Sequence, residues 1–346
     1  MNQGKFIRLL IVALPTGLFI LGFGAMMQST MQGPESIIDP NEKIRLEAAS
    51  LHRKPVNQAD LEQYLNVLCV KIGERNLQVP AALEQTAIWL ESTLGSGNIG
   101  YPITRQVYEV NGKTVRNLIA ELPGTSKRDE IVVIGAHYDT VPNCPGANDN
   151  GTGVAGMLAL ARAFAGEQQE RTLRFVAFVN EEQPYFQTED MGSVRYAKKC
   201  RMEGDRIVAM LSLDSIGYFT DEPGSQSVPE GLDNEFPDTG NFLAFVGDSN
   251  SRFIVDSAKA SFANSSGTPV VGGVFPGSVQ GVGWSDHWSF WQEEFPAVMV
   301  TDTAPFRYSH YHKPTDTVDR LDLTRLEDVV SGLKQVVTVW ANPSGR

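Results

Sequence analysis

His137, Asp139 and Asp149 lie close together in the stretch DEIVVIGAHYDTVPNCPGANDNGTGV, which runs from Asp129 to Val154. A neutral imidazole offers one nitrogen to a cation. A carboxylate two residues on can accept from the other ring nitrogen, which fixes the tautomer and raises basicity. Asp149 has two oxygens and could bridge two ions. The same residues also suit a plain βα turn, with Asp149 capping a helix and His137 an ordinary loop residue. More acid and imidazole follow at Glu181-Glu182, Asp214 and Tyr311-His312. Each has a simple explanation alone: a solvated pair, a turn cap, a surface histidine. Taken jointly they point to a metal site, if one framework brings them to one place.

That framework is an alternation of strands and helices. Ile131 to Ile134 is a β-branched apolar run of the kind that forms a buried strand, and Gly153 to Phe164 reads as a small-residue helix. Upstream, Ala59–Arg75 carries Leu61, Leu65, Leu68 and Ile72 at helical spacing, and Pro80–Leu94 repeats the pattern before Gly95. Ile103–Val110 and Val115–Leu122 flank Asn111-Gly112, a strong hairpin signal. Further strands are expected at Thr172–Asn180, Ile207–Leu213, Phe242–Val246 and Pro296–Thr301, and helices at Met191–Lys199, Phe253–Ala263 and Leu323–Trp340. The alternation predicts an α/β fold, a mixed, largely parallel central sheet with helices on both faces. Four strand ends then deliver His137, Glu181-Glu182, Asp214 and, through Asp302 and a loop, His312 to one sheet edge, where ligands of open sheets bind. The long tracts 183–190, 220–241 and 276–293 read as functional loops.

Composition narrows the classes. The chain has 346 residues, 42% hydrophobic, and a net charge of -12. The acidic balance argues against nucleic acid. No phosphate-binding GxxxxGK[ST] loop, GxSxG elbow or HExxH helix is present. Leu9–Met27 is free of charge and follows Lys5 and Arg8. It is expected to be a membrane anchor with the rest of the chain outside the cytoplasm, and a cleaved signal is the competing reading. The expected organisation is anchor or signal 1–30, tether 31–57 and catalytic domain 58–342. Cys69 reads as a core residue. Cys144 admits three readings: a loop thiol, a bridge to Cys200, or a zinc thiolate. His310 and His52 have no functional case, and oligomeric state is not legible.

The motifs AHYDT (136–140), GANDNGTGV (146–154), VNEE (179–182), MGS (191–193), LDSIGY (213–218), SDHWSF (285–290) and YHKPTDT (311–317) carry a family resemblance. In that order they resemble the co-catalytic di-zinc aminopeptidases, the exopeptidase family that also holds glutamate carboxypeptidase and the glutaminyl cyclases. The resemblance implies the zinc-exopeptidase fold, two zinc ions per chain and peptide substrates. By position it implies one zinc on His137 and Asp214, the other on Glu182 and His312, and Asp149 bridging both, with a water or hydroxide between the ions. Glu181 would be the general base, Asp139 would orient His137, and Tyr311 would donate to the developing oxyanion. A cis peptide after Asp149 is also implied. This chain departs from the family at Asn148 and in the longer QPYFQTED segment, whose Tyr185 and Phe186 are candidates for the substrate pocket or for simple packing. His287 is a candidate for a structural or substrate-side role. A glutaminyl cyclase-like acyltransferase and an inactive binding ectodomain are the alternative functions.

Overall fold

The computed structural model describes residues 53–230, 232 and 236–345. The expected anchor or signal segment, nearly all of the tether and His52 lie outside the described residues. Among the described residues no helix is long and apolar enough to cross a membrane.

The strands are β1 (Ile103–Val110), β2 (Lys113–Leu122), β3 (Lys127–His137), β4 (Arg171–Phe178), β5 (Arg206–Leu213), β6 (Leu243–Gly247), β7 (Val270–Val274) and β8 (Ala297–Thr301). They form one sheet in the order β1-β2-β4-β3-β5-β8-β6-β7. The central strands β4, β3, β5 and β8 run parallel. The pairs β1–β2, β2–β4 and β6–β8 are antiparallel, so the sheet is mixed as expected. The helices are α1 (Gln58–Leu65), α2 (Pro80–Leu94), α3 (Gly153–Phe164), α4 (Gly192–Glu203), α5 (Arg252–Ala263), α6 (His287–Gln292), α7 (Ala304–Arg307) and α8 (Leu323–Ala341).

Strand β3 shows why the sheet sits in the middle. Successive side chains point to opposite faces. Val132 and Ile134 join the large apolar cluster that contains residues of α1, α2, α3, α5 and α8. Ile131 and Val133 join a second cluster on the other face, with Tyr196, Ala197 and Cys200 of α4 and Phe290 of α6. Both faces are therefore buried, and the sequence is a continuous apolar run rather than an alternating one. Asn111 and Gly112 form the expected two-residue turn between Val110 and Lys113. Their φ values of 51° and 70° suit a turn whose twist matches the strands.

Three elements differ from expectation. The helix expected over 59–75 is α1 followed by a wider π-helical segment, Asn66–Ile72, which stops at Gly73 with φ 79°. Strand β7 reads VVGGV and escapes periodicity. Its Gly272, at φ 104°, lies so close to the Phe245 backbone that a Cβ has no room. Helix α6 lies inside the 276–293 tract, which reads as loop. No bridge joins Cys144 to Cys200: all three cysteines are free and buried. The Cys144 thiol donates to the Lys313 carbonyl at 3.1 Å.

Candidate metal centre

Parallel neighbours send their carboxyl ends to the same edge. His137 is the last residue of β3, Glu181 and Glu182 follow β4, and Asp214 follows β5 directly. His312 arrives on the loop between α7 and α8. The His137 Nε2 atom lies 3.4 Å from Asp149 Oδ1, 3.7 Å from Asp214 Oδ2 and 3.9 Å from Glu181 Oε2. The His312 Nε2 atom lies 3.0 Å from Asp149 Oδ2 and 3.4 Å from Glu182 Oε2. Asp149 thus turns one oxygen to each imidazole, from a loop whose Asp149–Asn150 peptide is cis. Donor atoms of His137, Glu181 and Asp214 lie within 4.8 Å of one another, and so do those of Asp149, Glu182 and His312.

Four carboxylates packed around two imidazoles are a poor arrangement without cations. Burial raises the Glu181 carboxyl well above the usual range, and the charges of Glu182 and Asp214 push it the same way. Burial, then the charge of Asp149, raises Glu182 to about 7. Burial opposes a charged His137, yet the surrounding Glu181, Asp149 and Asp214 hold its pKa well above the ordinary value. Glu182 Oε1 is buried with no hydrogen-bond partner. A nitrogen-and-carboxylate donor set in two groups, with an oxygen orphaned among the described residues and Asp149 turning one oxygen to the imidazole of each group, fits a pair of divalent cations.

The carboxylate of Asp139 lies 3.7 Å from His137 Nδ1. Its hydrogen bonds go instead to the amides of Glu181 and Glu182, each at 3.0 Å. The nearer acceptor for Nδ1 is the Asp139 carbonyl, at 3.3 Å. Tyr311 stacks on His312, ring centroids 3.8 Å apart. Tyr311 and Asp214 also line a pocket whose other walls include Phe236, Val246, Phe275, Met299 and Phe306. The two loop tracts 220–241 and 276–293 supply much of that lining.

Other expected residues lie elsewhere. Tyr185 and Phe186 are absent from the lining. The Tyr185 hydroxyl accepts from Asn111 at 3.1 Å and its ring packs on the main core. His287 is fully buried, with Nε2 2.8 Å from the Val282 carbonyl and the ring against Trp291, so it braces the pocket wall from behind. Burial lowers its pKa to about 4, which keeps it neutral. His310 meets only Thr315 and the Tyr308 ring. The sequence reading assigned no role to Asp302 and Asp316, both buried beside the donor loops. An aspartate just past a strand end was the available signal for Asp302, and the YHKPTDT motif held Asp316.

Residues 117–337 match the description Peptidase family M28. The chain belongs to peptidase family M28. It is 32% identical over 291 residues to the uncharacterized protein YfbL of Escherichia coli, covering 82% of this chain and 87% of that protein. It is also similar to a solved aminopeptidase from Aneurinibacillus sp. strain AM-1, with 27% identity and a TM-score of 0.51, over 66% of this chain and 48% of that one. The glutaminyl cyclase of Fimbriiglobus ruber shares the fold at 21% identity and a TM-score of 0.61, over 83% of this chain and 96% of that one. The chain therefore spans less than half the length of the Aneurinibacillus enzyme.

Proposed function

We propose that this chain is an exported zinc-dependent aminopeptidase that removes apolar N-terminal residues from peptides. The observation that carries the reading is Asp149, with one oxygen 3.4 Å from His137 and the other 3.0 Å from His312. A two-ion centre needs such a shared ligand. His137 and Asp214 would hold one zinc, Glu182 and His312 the other, and Asp149 both. When bound, the ions would polarise the scissile carbonyl and lower the pKa of water.

Glu181 then takes a proton from the attacking water and passes it to the leaving amine. Its carboxylate reaches to 3.9 Å from the His137 imidazole, at the edge of the donor set where that water would lie. The Tyr311 hydroxyl donates to the carbonyl oxygen as charge develops there. The pocket bordered by Asp214 and Tyr311 accepts the first side chain, and its aliphatic and aromatic walls favour large apolar residues. The charge-free segment Leu9–Met27 supports location outside the cytoplasm.

The test is a panel of aminoacyl chromogenic amides with chelation and zinc add-back. Leucyl and phenylalanyl substrates should be cleaved, activity should vanish with chelator, and zinc should restore it. A panel left uncut by zinc-loaded protein overturns the reading. Glutaminyl cyclisation is the second reading, favoured by the 96% coverage of the cyclase chain. Pyroglutamate formation from a glutaminyl peptide, without release of a free amino acid, would select it. An inactive ectodomain is disfavoured by the complete donor set, and purified protein without zinc would revive it.

A further inference from the structure

Buried aspartates outside the donor set receive backbone amides from the loops that carry the ligands. Asp139 does so for Glu181 and Glu182, as described above. Asp316 does the same for the shared ligand: Oδ1 accepts from the Asn148 amide at 2.8 Å and Oδ2 from the Asp149 amide at 3.1 Å. The Asp316 carbonyl accepts from the Ala147 amide at 3.2 Å, and the Tyr308 hydroxyl donates to Oδ1 at 2.9 Å. Asp302, just past β8, serves the loop after β5. Its Oδ2 accepts from the amides of Gly217 and Tyr218 at 3.1 and 2.8 Å and from the Asn148 side chain at 2.9 Å. Asn148 Oδ1 in turn accepts from the Gly217 amide at 3.1 Å, which ties the two loops together. Both aspartates are 0% exposed.

We infer that Asp316 and Asp302 are positioning residues that hold the Asp149 loop and the loop following Asp214 in ligand geometry before any cation arrives. The inference rests on the two-zinc reading. Its chemistry is specific to carboxylates. The two oxygens of Asp316 take different amides, so an asparagine there would turn an N–H₂ towards one of them. The three donors to Asp302 share Oδ2, and Oδ1 has no partner among the described residues, so only removal of the carboxyl group breaks that set. Asn148 has a role in this scheme as the amide that joins Asp302 to the Asp149 loop.

A merely structural role is separable, because the fold contains a control. Asp328, on α8 and half-buried, accepts from Ser266, Gly267 and Thr268 at 2.5 to 3.1 Å, and the loop it holds carries no metal-donor residue. The experiment compares Asp316→Asn, Asp302→Ala and Asp328→Asn in the full-length chain. Zinc affinity is read by competition with a chromophoric chelator, and melting temperature is measured on zinc-free protein. Asp316→Asn should lose about 10- to 100-fold in zinc affinity and Asp302→Ala about tenfold, the range for groups that orient ligands. Asp328→Asn should lower the melting temperature and leave zinc affinity unchanged.

Equal zinc affinity in all three variants overturns the inference while leaving the two-zinc reading intact. Wild-type protein that binds no zinc overturns both. Should Asp316→Asn fail to fold, hydrogen exchange of the wild-type segment 146–152 decides. Protection of the Asn148 and Asp149 amides in zinc-free protein supports the inference, and free exchange there overturns it.

Discussion

The two imidazoles of the site face each other across Asp149, but they are built by different means. His137 ends a central strand, and its side chain is 1% exposed. The packing of β3 between two apolar clusters fixes it. His312 sits on a loop, its side chain is 35% exposed, and its φ is 58°. A non-glycine residue in that region stores about 1–3 kcal/mol of strain, so neighbours must hold it. The Tyr311 ring against its face and the approach of its Nε2 atom to Asp149 and Glu182 provide that hold. The core places the His137 imidazole, whereas the loops that carry the other donors need dedicated contacts, such as Asp139 for Glu181 and Glu182 and Asp316 for Asp149.

Asp149 joins the halves, so its loss gives the largest expected effect. Asp149→Ala should bind neither zinc and show no turnover, checked by metal analysis and a leucyl chromogenic amide. Stoichiometric zinc in that variant would mean the halves are independent sites. Glu181→Gln tests the strand-built half. It should keep both zincs, fold normally and lose about 10²- to 10⁴-fold in kcat. Loss of one zinc would instead make Glu181 a ligand alongside His137 and Asp214, whose donor atoms it approaches. Tyr311→Phe tests the loop-built half. The ring stack on His312 survives and only the hydroxyl goes, so zinc content should hold while kcat falls about 10²-fold with KM little changed. A change in KM alone would make Tyr311 a wall of the pocket only.

The smallest effect concerns zinc-free protein. Burial and then the charge of Asp149 raise Glu182 from 4.5 to about 7. His312 rises from 6.5 to about 10, because bonds to Asp149 and Glu182 outweigh burial. Both folded values exceed the unfolded ones. Their stabilising contribution is therefore complete below about pH 4.5 and is lost as pH climbs through 7 and then 10. Asp149 supplies the opposite limb: despite burial, the two imidazoles hold its pKa well below the usual range, so that contribution disappears only in strong acid. The melting temperature of zinc-free protein should fall between about pH 5 and 9, and zinc should flatten the profile because bound ligands are already deprotonated. A rise over that range would contradict the assigned protonation states.

The same contrast explains what the sequence revealed. The strand-built half was legible because a four-residue β-branched run followed by His137 is a local signal. The Asn111-Gly112 hairpin and the helix Gly153–Phe164 were legible for the same reason. His312 emerged only when its motif joined the others. Asp302 and Asp316 went unassigned because accepting an amide from a distant loop leaves no periodic trace. Strand β7 was missed because two glycines erase side-chain alternation, and α6 because SDHWSF is too short to show helical spacing. Tyr185 and Phe186 left two readings open, pocket wall or packing, because loop aromatics suit both; Tyr185 packs on the core.

The doubly buried strand β3 has a further consequence. A slip of one residue would exchange Ile131 and Val133 with Val132 and Ile134 and rotate every side chain of the strand to the opposite face. His137 would then point away from Asp149. Misthreaded molecules would bury the same apolar run yet be unable to chelate, so bound metal would favour a register to which that run alone is nearly blind.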